Sequence, residues 1–299
     1  MRSFAIAQDD KCEESQINER KQIVLSNFYI KDHVKMALQE DIGFGDITTE
    51  NLTDGSDYLK AELNTRNEGV LCGCEVFKTV FEILSNDVKI KFYFKDGDVI
   101  KKGDKIADLQ GPAKYLLMGE RVALNYIQRM SGIATETRKY QDAVKPYAAK
   151  VVDTRKTTPN FRSFEKYSVK IGGGALHRFN LSDCAMIKDN HIKLAGSITN
   201  AVKKLREHIS FTHKIEVECD TFEQVKEAVE VGADIIMLDN MPVDTMKKAV
   251  EYINKRAIVE ASGNVNLQTV NSIASTGVDI ISSSAIVAKA PTLDLALDM

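Results

Sequence analysis

The sequence has no tryptophan and only five prolines, and no apolar run approaches the roughly 20 residues that a membrane-spanning helix needs. A membrane-spanning helix is therefore not expected. It also lacks charge of one sign: Lys and Arg nearly balance Asp and Glu, leaving −3 at pH 7. Bulk nucleic-acid affinity needs a basic surface that displaces counterions, so any anion site must be a local concentration of Lys and Arg. Cysteine is sparse and scattered, at Cys12, Cys72, Cys74, Cys184 and Cys219. The number is odd, and the single close pair has no second pair to complete a zinc site, so we read reduced thiols in a cytoplasmic protein. Met1 to Gln8 carries one arginine and too short an apolar stretch for a signal peptide. The polar stretch that follows makes residues 1–27 a mobile tail.

What is present is a globular composition. With 299 residues, 43% of them hydrophobic, the chain can bury one large core or two moderate ones. Two regions are patterned differently. From Phe28 to about residue 118, a helix near Asp32–Gln39 is followed by short strands, including Lys89–Phe94 and Ile106–Gln110. Between those strands lie two glycine-bearing turns, Lys95-Asp96-Gly97-Asp98 and Lys102-Gly103-Asp104. The pattern resembles the hammerhead fold of biotinyl and lipoyl carriers but lacks their lysine at a hairpin tip, so it reads as scaffold. A long helix is expected over Gly119–Tyr140. Val122, Tyr126, Met130 and Ile133 form one stripe of it, and Arg121, Asn125 and Arg129 another.

From Val151 the chain repeats strand-then-helix units, with strands expected at Val151–Thr154, Ala185–Lys188, Lys214–Cys219, Asp234–Leu238, Ala257–Glu260 and Val278–Ser282. Thr221 and Gln224 form a capping box before one helix. Such alternation implies a parallel sheet, either doubly wound or closed as a barrel. Every strand is apolar and then ends in polar residues: Arg155-Lys156, Lys188-Asp189-Asn190, Glu218, Asp239-Asn240, Glu260 with Ser262-Gly263, and Ser282 to Ser284. A doubly wound sheet needs such residues only at its switch point, whereas a barrel gathers all its strand ends on one rim. Six loaded ends therefore favour an α/β barrel, left open because only six strands are evident. Leu293, Leu295 and Leu297 alternate, and residues 291–299 are expected to return as a strand of the first domain.

The rim carries the chemistry. Arg155, Lys156, His177, Arg178 and Lys188 converge from different connections, and clustered cations cost Coulomb energy unless an anion offsets them. Arginine pairs with a planar carboxylate through two hydrogen bonds, while lysine acts as a point charge on phosphate. Glu218 and Asp239, on consecutive strands, could hold Mg²⁺ through water or bind ribose hydroxyls; the alternative is that they cap adjacent helices. Ser262-Gly263-Asn264 and Ser282 to Ser284 precede the last helices, where backbone N–H groups bind phosphate. The glycines Gly172-Gly173-Gly174, ahead of His177-Arg178, permit either close backbone approach or a mobile lid.

At this point the sequence resembles the quinolinate phosphoribosyltransferases. The matching segments are Asp153-Thr154-Arg155-Lys156-Thr157-Thr158-Pro159, the triple glycine with His177-Arg178, and Ile187-Lys188-Asp189-Asn190-His191. Further matches are Glu40 to Thr49, Glu120-Arg121 with Ser131 to Thr135, Glu216-Val217-Glu218, and Leu238-Asp239-Asn240. The resemblance runs in unbroken order from about Phe28 to the C-terminus. It implies an α/β sandwich domain (28–118, joined by strand 291–299) beside an open α/β barrel (119–290). It implies transfer of phosphoribose from phosphoribosyl pyrophosphate to quinolinate with loss of CO₂, with Mg²⁺, in NAD biosynthesis. Lys156, Lys188, Glu218 and Asp239 would be catalytic, the last two also serving the metal indirectly. Arg121, Arg155, His177, Arg178, Ser262, Gly263, Asn264, Ser283 and Ser284 would bind substrate. Arg121 would reach the neighbouring subunit's pocket, making a homodimer with a shared site, or a higher oligomer, the working unit. Leu176 stands where the family usually has Asn, and Ser284 where it usually has Gly. Three other functions remain open. The nearest is a related transferase of the same fold acting on another pyridine or in an oxoanion pathway; the others are a Schiff-base aldolase using Lys156 or Lys188 and a non-catalytic carrier or binding module built on the first domain.

Overall fold

The structure, a computed structural model, describes residues 25–299. The expected tail up to residue 24, with Cys12, lies outside the described residues. Two capped helices come first. Ser26 accepts from the Tyr29 N–H at the start of α1 (Asn27–Ile42), and Asp46 accepts from the Thr48 and Thr49 N–H groups at the start of α2 (Ile47–Leu52). The strands β1 (Tyr58–Thr65), β3 (Lys89–Phe92), β5 (Lys105–Pro112) and β12 (Leu295–Asp298) form an antiparallel sheet in the order β12-β1-β5-β3. Beside it β2 (Gly69–Val70) pairs with β4 (Val99–Ile100). The alternating leucines near the C-terminus do return to this sheet: Leu293, Leu295 and Leu297 are buried, and Leu295 sits opposite Thr65.

The glycine-bearing turns are scaffold. Asp96 accepts from the N–H groups of Gly73 and Cys74 at the start of α3 (Cys74–Leu84), and from the Tyr167 hydroxyl at 2.8 Å. One carboxylate thus caps a helix of the first domain and ties it to the second. The sequence did not announce α3, although Val76, Phe77, Val80 and Phe81 are buried at helical spacing.

The long helix, α4 (Ala113–Val144), begins six residues earlier than expected because β5 runs straight into it through Pro112, with no loop to mark the change. The predicted stripe Val122, Tyr126, Met130 and Ile133 is buried. Its N-terminal part packs in the sandwich core, and its C-terminal part, from Ile133 through Tyr140 to Val144, packs in the barrel core. The other stripe divides. Arg121 and Asn125 are exposed, but Arg129 turns inward. It donates to buried Glu165 and to the Val287 and Ala290 carbonyls, each at 2.9 Å. At Gly132 a Cβ would lie 2.0 Å from the Pro291 carbonyl oxygen of the returning C-terminal segment. Gly132→Ala is therefore expected to cost about 2–3 kcal/mol by overpacking, measured as a lowered denaturation midpoint in guanidinium.

The second half supplies β6 (Lys150–Val152), β7 (Ala185–Ile187), β8 (Ile215–Cys219), β9 (Ile235–Asp239), β10 (Ile258–Ser262) and β11 (Ile280–Ser282), all parallel, in the order β6-β11-β10-β9-β8-β7. The first strand pairs with the last, as closure of a barrel requires. No ladder joins β6 to β7; the gap is bridged only where Ala175 meets Val152. The barrel is open, as the strand count implied. Around it run α5 (Arg162–Ile171), α6 (Asp189–Ala195), α7 (Ile198–His208), α8 (Phe222–Glu230), α9 (Val243–Ile253), α10 (Val270–Ala274) and α11 (Ala285–Ala288). The predicted capping box starts α8, with Thr221 and Gln224 exchanging hydrogen bonds.

The triple glycine serves close packing rather than a lid. A Cβ on Gly172 would lie 2.5 Å from the Ala134 carbonyl oxygen of α4, and Gly174 is pressed against Thr137 and Val169. This contact lets Ala175 reach the β6 edge. Leu176 then packs against the barrel core, which is why an apolar residue is accommodated there.

Candidate active site

The carboxyl ends of the barrel strands enclose a cavity of about 760 Å³. All the residues predicted for the site line it except Arg121, which is exposed on α4. Reading round the rim in sheet order, β6 contributes Thr154, Arg155 and Lys156; β11 contributes Ser282, Ser283 and Ser284; β10 contributes Ser262, Gly263 and Asn264; β9 contributes Asp239 and Asn240; β8 contributes Glu218 and β7 contributes Lys188. His177 and Arg178 fill the open side between β7 and β6. The cations therefore cluster about the opening, Glu218 and Asp239 follow beside Lys188 on β8 and β9, and the rim residues Ser262 to Asn264 and Ser282 to Ser284 carry no charge.

Local structure fixes the cationic wall. Thr154 Oγ1 accepts from the Lys156 N–H at 3.0 Å, curling the chain so that Arg155 and Lys156 project into the cavity. Arg155 Nε is buried with no acceptor among the described residues. Burial lowers the Arg155 pKa, and the nearby Arg178 and Arg162 lower it further, so an anion is the missing counterpart. Arg178 is braced by its own bonds to the Cys184 carbonyl at 2.8 Å and Met186 Sδ at 3.4 Å.

His177 is held on every side. Buried Asp153 accepts from its N–H at 2.8 Å, and buried Lys166 donates to its carbonyl at 3.0 Å; Lys166 and Asp153 are themselves paired at 2.6 Å. Its Nδ1 accepts from the Arg178 N–H at 2.7 Å. Its Nε2 lies 3.5 Å from Glu216 and 3.3 Å from Glu260. Burial favours the neutral imidazole, and the two carboxylates override it and raise the pKa. With Nδ1 accepting from the Arg178 N–H and Nε2 facing the two carboxylates, the imidazole offers no free N–H to the cavity, so His177 acts by placing Arg178.

The β8–β9 side answers the alternatives left open by the sequence. Lys188 is ion-paired with Glu218, and Asp239 accepts from Asn240 at 2.6 Å, so neither carboxylate caps a helix. The Glu218 pairing gives Lys188 a counter-ion in place of the apolar surroundings that activate a Schiff-base lysine. Glu218 and Asp239 are the oxygen donors suited to a hard divalent cation at the rim. Below them, His177, Glu216 and Glu260 place three further donor atoms within 4.8 Å of one another.

The neutral sector is built for close approach. Gly263 has φ +89°, and a Cβ there would fall 2.2 Å from Asn240 Oδ1, which also accepts from Asn264 at 2.9 Å. Ser283 is buried with its hydroxyl donating to the Val265 carbonyl and its N–H donating to the Val152 carbonyl of β6, so it supports the loop rather than facing a ligand. Ser284, just before α11, has φ −74° and ψ −18°, a conformation that needs no glycine.

Glu216, Glu260, Asn240 and Lys289 were not assigned roles from sequence. Glu216 and Glu260 did leave a signal. Each lies two residues before a rim residue, Glu218 or Ser262, on a strand where alternate side chains share a face.

The chain matches the family models described as quinolinate phosphoribosyl transferase, N-terminal domain, over residues 46–131, and C-terminal domain, over residues 133–298. It is 42% identical over 275 residues to a protein of Bacillus subtilis named probable nicotinate-nucleotide pyrophosphorylase [carboxylating], covering 92% of this chain and 95% of that one. It is 40% identical over 287 residues to the chloroplastic nicotinate-nucleotide pyrophosphorylase [carboxylating] of Arabidopsis thaliana, covering 90% of this chain and 82% of that one. Among solved structures it superposes on NadC from Streptococcus pyogenes with a TM-score of 0.89 at 40% identity, covering 92% of this chain and 98% of that one.

Proposed function

The chain belongs to the quinolinate phosphoribosyltransferase family, and from that premise we propose how its cavity divides the work of the reaction. The enzyme is a decarboxylating pentosyltransferase of NAD biosynthesis, making nicotinate mononucleotide, pyrophosphate and CO₂ from quinolinate and phosphoribosyl pyrophosphate. The observation that carries the assignment is the crowded cationic wall, where Arg155 keeps a buried, unpartnered Nε–H beside Arg178. A planar dicarboxylate matches that wall: Arg155 and Arg178 grip its carboxylates through paired hydrogen bonds, with His177 holding Arg178 in place from below. Lys156 and Lys188 face the pyrophosphate.

The ring nitrogen attacks C1 of the ribose while the C1–oxygen bond to pyrophosphate breaks. Lys156 and Lys188 meet the charge that develops on the leaving group, while Glu218, paired with Lys188, and Asp239 lie near the ribose and its growing positive charge. Holding both reactants in one cavity supplies much of the rate through orientation, and fixed charge supplies the rest. Alkylation makes the ring cationic, so when the 2-carboxylate leaves as CO₂ its electron pair stays at C2, which then takes a proton from water. Mg²⁺ bound with phosphoribosyl pyrophosphate would neutralise part of the pyrophosphate charge, and Glu218 and Asp239 are the residues that would hold it, through water. The backbone of Ser262 to Asn264 and of Ser284 receives the 5′-phosphate, with Ser283 holding the loop.

Arg121 completes the site from a second subunit. It shares a face of α4 with exposed Leu117, and α1, α2 and the turn between them expose Phe28, Met36, Phe44, Ile47 and Leu52. An apolar patch of this kind marks a protein interface. No helix among the described residues is long and apolar enough to cross a membrane, and we place the enzyme in the cytoplasm. Purified protein given quinolinate, phosphoribosyl pyrophosphate and Mg²⁺ is expected to form nicotinate mononucleotide. Nicotinate in place of quinolinate is expected to give none; turnover of nicotinate alone would reassign the substrate.

A further inference from the structure

We propose that Lys289 is the cation that binds the 5′-phosphate of phosphoribosyl pyrophosphate, an inference that rests on the functional reading above. The neutral sector of the rim poses the problem. Ser262, Gly263 and Asn264 after β10, and Ser284 after β11, offer N–H and hydroxyl groups but no charge. Their neighbour on β9 is Asp239, which repels a phosphate dianion. The helix that follows β11 spans only Ala285–Ala288, too short for its dipole to replace a cation. Lys289 is the sole basic residue in the chain after Arg256, so no other side chain of the last two barrel segments can supply the charge.

Lys289 is also in the right place. It follows α11 directly, lines the same cavity, and is exposed. None of the ion pairs among the described residues includes it. Its backbone is nonetheless fixed. Arg129 donates to the carbonyls of Val287 and Ala290 on either side of it, and the Glu165 carboxylate that pairs with Arg129 also accepts from the Thr158 N–H and hydroxyl, just beyond Lys156. A single buried linkage thus sets the spacing between the lysine that faces pyrophosphate and the lysine that faces the 5′-phosphate. A lysine kept free on a braced turn is suited to a ligand that arrives with its own two negative charges.

The test compares wild type, Lys289→Ala and Lys289→Arg, using ribose 5-phosphate and inorganic pyrophosphate as competitive inhibitors against phosphoribosyl pyrophosphate. Losing one charge-assisted contact is expected to weaken ribose 5-phosphate about tenfold in Lys289→Ala and to raise the KM for phosphoribosyl pyrophosphate comparably, with the quinolinate KM within about twofold of wild type. Lys289→Arg keeps the charge and should recover most of the loss. Inhibition by ribose 5-phosphate that stays at its wild-type strength in Lys289→Ala overturns the proposal, as does an effect confined to pyrophosphate or to quinolinate. Those outcomes leave turnover intact; failure of wild type to form nicotinate mononucleotide would instead remove the functional reading itself.

Discussion

Arg155→Lys is expected to lower kcat/KM for quinolinate by about 100-fold or more, roughly 3 kcal/mol of transition-state binding, although the substitution keeps the charge. The reason is geometric. Arg155 leaves the rim on a turn fixed by Thr154 and lines the cavity, and its Nε–H is buried without an acceptor among the described residues, so the guanidinium stands ready for a carboxylate before any ligand arrives. A carboxylate accepts from two guanidinium donors at once. A lysine at the same position gives one point charge on a longer, looser stem and leaves one substrate oxygen unmet in a desolvated site. The neighbouring Arg178 and Arg162 make the effect larger, because their mutual repulsion with Arg155 is relieved by the substrate. Steady-state kinetics with quinolinate varied checks this, and a change under threefold would remove Arg155 from carboxylate binding.

Arg121→Ala and Lys188→Ala should each be nearly inactive alone and should recover activity when mixed. Lys188 lines the cavity of its own chain, whereas Arg121 lies exposed on α4, outside that cavity and on the helix against which α1 and α2 pack. If two chains share each site, a mixed dimer holds one intact site and one doubly damaged site. Random exchange puts half the molecules in mixed dimers with one good site of two, so about a quarter of wild-type activity is expected. Subunit exchange followed by an activity assay measures it. Activity no higher than that of the separate variants would show that each chain works alone and would leave Arg121 without a role in the site.

Much of this architecture was legible because barrels put their chemistry at strand ends. Arg155-Lys156, Lys188, Glu218, Asp239 and Ser262-Gly263 each interrupt an apolar strand at its carboxyl end, and a parallel sheet needs no further information to gather them. The return of Leu295 and Leu297 to the first sheet was legible for a similar reason, since period-two alternation cannot sit on a helix. What escaped detection depends on neighbours that a linear pattern does not name. Arg129 shares the helical face of Arg121, yet it is drawn inward by Glu165 and two carbonyls contributed by segments 36 and about 160 residues away. The three glycines suit either close approach or a mobile lid in sequence, and only the nearness of Ala134 and Thr137 on α4 shows why side chains are forbidden at Gly172 and Gly174. Glu216 and Glu260 look like strand interruptions until His177 is placed between them. Lys289 is one lysine after a short apolar turn, and it gains meaning only from the absence of any other cation in its sector.

The division of the cavity into a cationic wall for the pyridine and a neutral sector for the phosphate is tested most directly by a crystal structure with nicotinate mononucleotide bound. The nucleotide should lie with its ring carboxylate against Arg155 and Arg178 and its phosphate against Ser262 to Asn264 and Ser284. A ligand bound in the reverse sense, or outside the barrel mouth, would contradict it.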